Sequence, residues 1–226
     1  MLILAIEQST CWSSAAILRD TEVLAARKWE ETAMRNLRLF ALLPEILAGS
    51  GVSFADIGLF AVGTGPGSFS GLRVAAAAAQ SFALPGQKPV VGIVSAEALA
   101  WDVRQETGAA RVTVVGDARR ERLWIARFSA DGQRLILSSP LALVESSELR
   151  TLLTEPGTVV SPDWDRIGAM LGERVPETQT LIRERRVPAA ETVGRLAEAH
   201  HRAGLPLAPP NPIYLTPPVS VAPRFV

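Results

Sequence analysis

Residues 62–73 read Val-Gly-Thr-Gly-Pro-Gly-Ser-Phe-Ser-Gly-Leu-Arg, and this glycine-rich segment joins two apolar stretches. The stretch before it, residues 57–64, is apolar and short, as expected of a buried strand. The stretch after it, residues 70–84, predicts a helix that Pro85-Gly86 stops. A strand that passes through glycines directly into a helix is typical of proteins whose helices pack on a sheet.

The glycine-rich turn has two interpretations. Backbone N–H groups at the start of a helix form a potential anion or nucleotide site. Alternatively, the glycines permit a tight strand-to-helix turn, with Ser68 or Ser70 as the N-cap residue. The structural interpretation is favoured, and the loop residues are kept as candidates for anion binding: Gly65, Gly67, Ser68, Ser70, Gly71 and Arg73.

The first half of the chain continues this alternation on both sides of the loop. Three strand candidates open the chain at residues 2–6, 13–19 and 22–29. A helix at 35–48 precedes the loop, and a strand at 90–94 and a helix at 95–105 follow it. Alternation after an opening antiparallel trio predicts a mixed sheet with helices packed on it. We therefore assign residues 1–107 to one α/β unit.

The second half begins again near residue 108. Paired strands are predicted at 111–115 and 122–129, and Asp131-Gly132 predicts a hairpin turn. A short helix after Ser146, a strand at 158–160 and a helix at 189–203 follow. We assign residues 108–205 to a second, smaller α/β unit, in which 129–189 carry the weakest signals. Residues 206–226 are proline-rich and predict an extended tail.

The composition limits the classes of function. Lysine plus arginine and aspartate plus glutamate both number 23, so the formal net charge is zero. Proteins that grip a nucleic-acid backbone on their own usually carry a basic excess, so tRNA binding without a partner is not expected. A single cysteine, Cys11, argues against a disulfide framework and a multi-cysteine zinc site. No stretch predicts a secretory signal or a membrane span, so we expect a cytoplasmic protein.

Four motifs together carry a resemblance to a known family. They are Leu4-Ala5-Ile6-Glu7-Gln8-Ser9-Thr10, the loop at 62–73, Asp117-Ala118-Arg119 and Pro212-Ile213-Tyr214-Leu215. Together they resemble the TsaB (YeaZ) family, strongly in the N-terminal half and by scattered anchors elsewhere. The resemblance implies an actin-like ATPase (ASKHA) fold, built from two βββαβα-type units with mixed sheets, the second of them degenerate.

The resemblance also implies a function. TsaB-like proteins are non-catalytic partners of TsaD, which transfers a threonylcarbamoyl group to an adenosine beside the tRNA anticodon. A TsaE-like ATPase is the expected third member, and a TsaB-like protein alone is expected to form a homodimer. The chain would then contact tRNA only indirectly, through the complex.

The resemblance also implies that the chain has no intact active site of its own. In actin-like ATPases an aspartate and a glycine hold phosphate after the first strand, and here these places carry Glu7 and Ser9, followed by Thr10. The second phosphate turn carries Asp117 without the two glycines expected after it. His200 and His201 are adjacent and would point about 100° apart on a helix, so they cannot chelate a metal together. We predict no catalytic residue, no cofactor and no metal.

The helix at 35–48 suggests a protein partner. A surface helix normally shows an apolar stripe a little over 100° wide, whereas this helix is apolar over more than twice that arc. The next helix contains five consecutive alanines, which let a neighbouring helix approach closely. An intermolecular four-helix bundle is therefore predicted, and its candidate residues are Leu39, Leu42, Leu43, Ile46, Ala76, Ala79 and Gln80. The alternative is that the second unit covers both helices within the chain.

Two other functions stay open at this stage. One is a small actin-like phosphotransferase that uses ATP, which binding of ATP with magnesium would reveal. The other is a metallopeptidase, which would require bound zinc or iron. The partner-binding subunit is the leading interpretation.

Overall fold

The first of two five-stranded sheets is built by the N-terminal part of the chain. The computed structural model describes residues 1–31, 38–132 and 134–215. The strands of the first sheet are β1 (Leu2–Glu7), β2 (Trp12–Arg19), β3 (Glu22–Glu30), β4 (Leu59–Gly63) and β5 (Val90–Ile93). Their order is β3-β2-β1-β4-β5, with β1 antiparallel to β2 and parallel to β4. This mixed sheet is the one that the sequence pattern predicts.

The second sheet repeats the connectivity of the first. Its strands are β6 (Arg111–Arg119), β7 (Arg122–Asp131), β8 (Arg134–Glu145), β9 (Thr158–Ser161) and β10 (Thr180–Arg185). Their order is β10-β9-β6-β7-β8, so an antiparallel trio is again followed by two strands parallel to its first strand. Two mixed sheets of the same topology confirm the actin-like fold.

Six α-helices connect the strands in the described part of the chain. They are α1 (Arg38–Ser50), α2 (Phe69–Ala83), α3 (Ser95–Thr107), α4 (Leu149–Leu152), α5 (Trp164–Arg174) and α6 (Ala190–Arg202). The predicted first helix starts at residue 35, and residues 35–37 lie outside the described part. Sequence analysis did not identify α5 or β10. The apolar spacing of Trp164, Ile167 and Leu171 is the signal that could have revealed α5.

Strand alternation separates two cores around the first sheet. Residues such as Leu4 and Ile6 face one side, where they pack with buried leucines of α1 and alanines of α2. Ile3 and Ala5 face the other side and pack with α6, including Val193. Successive side chains of β1 therefore point to opposite faces of the sheet, and both faces are buried.

Two helices pack on a sheet outside the predicted unit to which they belong. Helix α3 precedes the second sheet, yet its Leu99 and Val103 pack on that sheet beside Val112. Helix α6 follows the second sheet and packs on the first. On the other face of the second sheet, α5 contributes Ile167 and Leu171. The packing contacts of α3 and α6 thus extend across the predicted boundary between residues 107 and 108. The division into two units remains a prediction.

The described part of the tail, residues 206–215, has no helix or strand. Its backbone still bonds to the first sheet, since Gly92 N–H donates to the Ala208 carbonyl at 2.8 Å. Ile213 N–H donates to the Thr64 carbonyl at 2.8 Å. No helix in the described part of the chain has the length and apolar character that crossing a membrane requires.

Candidate functional site

A cleft of about 610 Å³ lies between the turns of the two sheets. The first half lines it with Ser9, Thr10, Cys11 and residues 66–70. The second half contributes residues 117–119, 162–163, 165–166 and Arg185, and the tail contributes residues 213–215. The candidate phosphate turns at Ser9, Thr10 and Asp117 therefore face one space.

Glu7 ends β1 and is completely buried. Its Oε1 accepts a hydrogen bond from Ser9 N–H at 2.6 Å, and its Oε2 accepts one from Ser95 Oγ at 2.8 Å. Burial raises the pKa of the Glu7 carboxyl, although the bonds from Ser9 and Ser95 act in the opposite direction. Ser95 Oγ also accepts a hydrogen bond from Gly65 N–H at 2.9 Å. Glu7 thus joins β1, the glycine-rich loop and the start of α3.

The glycine-rich loop packs directly on the turn after β1. A Cβ on Gly67 would lie 2.0 Å from the Ser9 carbonyl oxygen, and one on Gly71 would lie 2.1 Å from the Gln8 carbonyl oxygen. Ser68 N–H donates to the Ser9 carbonyl at 2.7 Å, and Ser68 Oγ caps α2 by accepting from Gly71 N–H at 3.2 Å. These contacts support the structural interpretation of the loop, because backbone fills the space in front of the first turn.

The second turn is also occupied by groups of the chain itself. Asp117 N–H donates to Asp163 Oδ2 at 2.9 Å, and Asp117 Oδ1 accepts from Arg119 N–H at 2.7 Å. The guanidinium of Arg166 pairs with both Asp117 and Asp163. Arg185 pairs with Asp165 at the same cleft. Each of these arginines therefore already has a carboxylate partner within the chain.

Arg73 contacts aromatic rings of the loop and the tail. Its guanidinium carbon lies 4.2 Å from the centre of the Phe69 ring, and its Nε donates to Tyr214 Oη at 3.1 Å. The Phe69 and Tyr214 rings are 4.8 Å apart. In the described structure Arg73 therefore contacts aromatic side chains, and its role in anion binding stays a prediction.

Neither histidine belongs to a metal site in the described structure. Residues 1–31, 38–132 and 134–215 contain no group of three or more His, Cys, Asp or Glu side chains that could hold a metal ion. His200 Nε2 lies 3.8 Å from Glu97 Oε1. Burial raises the pKa of Glu97 to about 7, and burial followed by the charge of Arg134 lowers the pKa of His200. These directions are opposite to those of an ion pair, so both groups favour their neutral forms.

The candidate partner residues on α1 and α2 are mostly not on the surface. Leu39, Leu43, Ile46 and Ala79 are buried in the core of the chain's own first sheet, and Ala76 of α2 is also buried. The expectation that these residues form a surplus apolar surface is therefore corrected. A helix that is apolar on two sides can pack on a sheet and on its neighbouring helix, and α1 does both. Of the predicted set, Leu42 is half-buried and Gln80 is exposed.

A different apolar surface lies over these two helices, and sequence analysis did not select its residues. We call it the aromatic surface, and it consists of Phe40, Phe54, Phe82 and Leu84. Phe40 is 47% exposed and Leu84 is 75% exposed. Phe82 stacks on Phe54 at 4.6 Å and meets the edge of Phe40 at 6.4 Å. The spacing of Phe40 is that of an apolar face of α1, and its exposure depends on where the sheet lies.

Comparison with known proteins identifies relatives. A family model described as TsaD, tRNA N6-adenosine threonylcarbamoyltransferase, matches residues 25–161, which is more than half of the chain. The TsaB protein for tRNA threonylcarbamoyladenosine biosynthesis from Escherichia coli is 34% identical over 58% of this chain and 56% of its own length. The corresponding Haemophilus influenzae protein is 31% identical over 56% of this chain and 53% of its own length. The chain thus spans about half the length of the curated relatives it matches.

Solved structures agree on the fold. YeaZ from Pseudomonas aeruginosa has a TM-score of 0.79 at 24% identity and covers 95% of this chain and 99% of its own. An Arthrobacter glucomannokinase that uses polyphosphate or ATP has a TM-score of 0.51 at 16% identity and covers 88% and 99%. The chain therefore belongs to the protein family that the TsaD model describes, and its relatives place it there in the TsaB (YeaZ) group.

Proposed function

We propose that this chain is a non-catalytic, partner-binding subunit of the machinery that makes threonylcarbamoyladenosine on tRNA. It would act in the cytoplasm by binding a TsaD-like subunit through the aromatic surface on α1 and α2. Family membership supports the pathway, because the curated relatives carry names from threonylcarbamoyladenosine biosynthesis. The aromatic surface supports the proposal that the chain acts by binding a protein partner.

The aromatic surface is the observation that carries this proposal. Protein interfaces are enriched in aromatic residues, and a few buried aromatic anchors often supply most of the binding energy. Phe40 and Leu84 expose about half and three quarters of their side chains to solvent, and Phe54 is 37% exposed. The rings of Phe40 and Phe54 each already contact the ring of Phe82, so little side-chain freedom would be lost when a partner covers them.

The cleft supports a non-catalytic role. The amide of Ser9 and the amide of Asp117 are both bonded to carboxylates of the chain, Glu7 and Asp163. Phosphate binding at either turn would have to displace these carboxylates. The alternative of an ATP-dependent phosphotransferase rests on the size of the cleft, and calorimetric titration of ATP with magnesium would support that alternative if it gave tight binding with turnover.

Further partners follow from the family and belong to the same proposal. A TsaE-like ATPase would join the complex, and two copies of the chain would pair through the same surface when the TsaD-like subunit is absent. Contact with tRNA would be indirect, because a formal net charge of zero supplies no electrostatic excess for a nucleic-acid backbone.

Substitution in the aromatic surface tests the proposal. Phe40→Glu combined with Leu84→Glu should leave the chain folded and abolish both self-association by light scattering and capture of the TsaD-like subunit in pull-downs. A charge at the centre of an apolar interface is left desolvated and unpaired, so a loss of at least 100-fold in affinity is expected, which is about 3 kcal/mol.

Ile136→Glu is the matched control, since Ile136 is 49% exposed and lies on β8 of the second sheet. It should bind as the unsubstituted chain does. Full capture of the TsaD-like subunit by the Phe40 and Leu84 double variant, at unchanged affinity, would contradict the proposal.

A further inference from the structure

We infer that the side chain of Asp163 is a built-in anion that fills a small oxyanion site in the cleft. The site consists of the backbone N–H of Asp117, which donates to Asp163 Oδ2 at 2.9 Å, and the guanidinium of Arg166, which pairs with Asp163 Oδ1. A backbone amide and a guanidinium are the donors that proteins use for carboxylates and phosphates. The inference concerns the cleft and does not depend on partner binding.

The direction of the Asp163 side chain supports this inference. Asp163 is the N-cap residue of α5, where an aspartate normally accepts a hydrogen bond from an amide in the first turn of its own helix. Here the side chain makes no such bond. It bonds instead to the end of β6, 46 residues away in sequence. Asp163 therefore gives up the usual capping contact in favour of the amide of Asp117.

Asp163 and the groups around it form a partly shielded cluster. The side chains of Asp117 and Asp163 are only 15% and 19% exposed, so the site is partly shielded from water. Arg166 Nε also lies 3.3 Å from Asp117 Oδ2, which places one guanidinium between two carboxylates. Ser161 Oγ accepts from Asp163 N–H at 3.0 Å and holds the backbone of Asp163 in place.

Removal of the Asp163 carboxylate would leave these donors facing a gap that opens to the cleft of about 610 Å³. The gap has the size of one carboxylate, because only that group is lost when aspartate becomes alanine. The ligand class that fits is therefore a small oxyanion, and formate matches the missing group atom for atom. The geometry thus predicts that added formate can fill the vacant site in an Asp163→Ala variant. In the unsubstituted chain the Asp163 side chain fills the same site.

Chemical rescue tests this inference. Asp163→Ala should lower the Tm by roughly 3–8 °C, because a hydrogen-bonded amide and a guanidinium lose their partner. Added formate should restore much of the lost Tm, and the recovery should saturate as the formate concentration rises. The ionic strength is held constant with sodium chloride. The unsubstituted chain should show no saturable response to formate.

Two further variants separate site filling from general salt effects. Asp163→Asn keeps the shape of the side chain and an acceptor for the Asp117 amide, so formate should not raise its Tm. Asp165→Ala removes a carboxylate that lines the same cleft and pairs with the Arg185 side chain. It should show no formate rescue, because no backbone amide loses its acceptor.

Absence of rescue in Asp163→Ala, or equal rescue of Asp163→Ala and Asp165→Ala, would overturn the inference. If Asp163→Ala does not fold in ordinary buffer, refolding with formate and refolding with chloride are compared instead. Folded protein recovered with formate and not with chloride supports the site. Equal recovery, or no recovery with either salt, overturns it.

Discussion

Buried carboxylates in this chain act as local hydrogen-bond acceptors. Glu7 ends β1 and Asp117 lies near the end of β6, and each accepts a hydrogen bond from the amide two residues further on, Ser9 and Arg119. The two halves thus share this detail as well as their topology. Burying a carboxylate costs free energy unless its oxygens accept hydrogen bonds. The amides of Ser9 and Arg119 supply part of these hydrogen bonds. Acidic residues at both turns are accordingly explained without a metal or a nucleotide.

Glu97 gives a prediction on pH dependence. Its folded-state pKa is raised to about 7 by burial, so the folded protein holds a proton that the unfolded chain releases near pH 4.5. The stability that comes from the neutral acid is complete below pH 4.5 and is lost as the pH rises through 7. Glu97→Gln should therefore stabilise the protein at pH 8 by about 1–3 kcal/mol, and much less at pH 5.

Urea unfolding at both pH values measures this effect. Exposed Glu45 offers the control, since Glu45→Gln should change the free energy of unfolding by less than about 0.5 kcal/mol at either pH. An equal effect of Glu97→Gln at pH 5 and pH 8 would show that Glu97 is not protonated in the folded protein.

At the scale of elements, the position of α2 depends on close backbone contact with the turn after β1. Ser68 is bonded to Ser9 through its N–H and caps the helix through its side chain. The helix then places Ala75, Ala78 and Ala79 against α1 and the sheet. The alanine run that predicted an approach by a partner helix therefore mainly serves packing within the chain. The exposed aromatic residues beside it are left for other contacts.

Two glycine substitutions test the role of this contact. Gly67→Ala would place a Cβ 2.0 Å from the Ser9 carbonyl oxygen, so backbone must move and a loss of about 3 kcal/mol or more is expected. Gly49→Ala, near the end of α1, meets nothing within 4 Å and should stabilise by up to about 1 kcal/mol. Guanidinium unfolding compares the two variants, and similar stability for both would refute close packing of the loop on the turn.

At the scale of the whole molecule, the halves are joined by helices and by the tail. Helices α3 and α6 contact each other through the hydrogen bond from Thr192 Oγ1 to Asp102 at 2.6 Å. Burial raises the pKa of Asp102 to about 6, although the bond from Thr192 acts in the opposite direction. The tail adds contacts to both halves, since Leu207 packs in a core of the first sheet and Leu215 packs in a core of the second.

Tyr214 tests the contribution of the tail. Tyr214→Ala removes the ring that packs against Phe69 at a tilt and the hydroxyl that accepts from Arg73, so a loss of about 1–3 kcal/mol is expected. Tyr214→Phe keeps the ring and should lose about 1 kcal/mol or less. Thermal unfolding and limited proteolysis of the tail measure both variants. If Tyr214→Ala were as stable and as resistant to protease as the unsubstituted chain, the tail would not be held by this contact.

The amino-acid sequence was sufficient for the first sheet, most of the second sheet, the loop and the family. Apolar periodicity and turn residues are local signals, and they placed β1 to β7, β9 and most helices close to their observed positions. The loop at 62–73 and the acidic end of β1 were also recognisable, because their backbone demands specific residue types over a few positions.

Other features could be known only once the chain was folded. Leu43 and Phe40 lie three residues apart on α1, yet one is buried and the other is half exposed, because the sheet lies under only one of them. Asp163 bonds to an amide 46 residues away, and α6 crosses back to the first sheet. Contacts between distant residues leave no periodic trace in the chain, since they depend on the packing of elements that the sequence pattern identifies only one at a time.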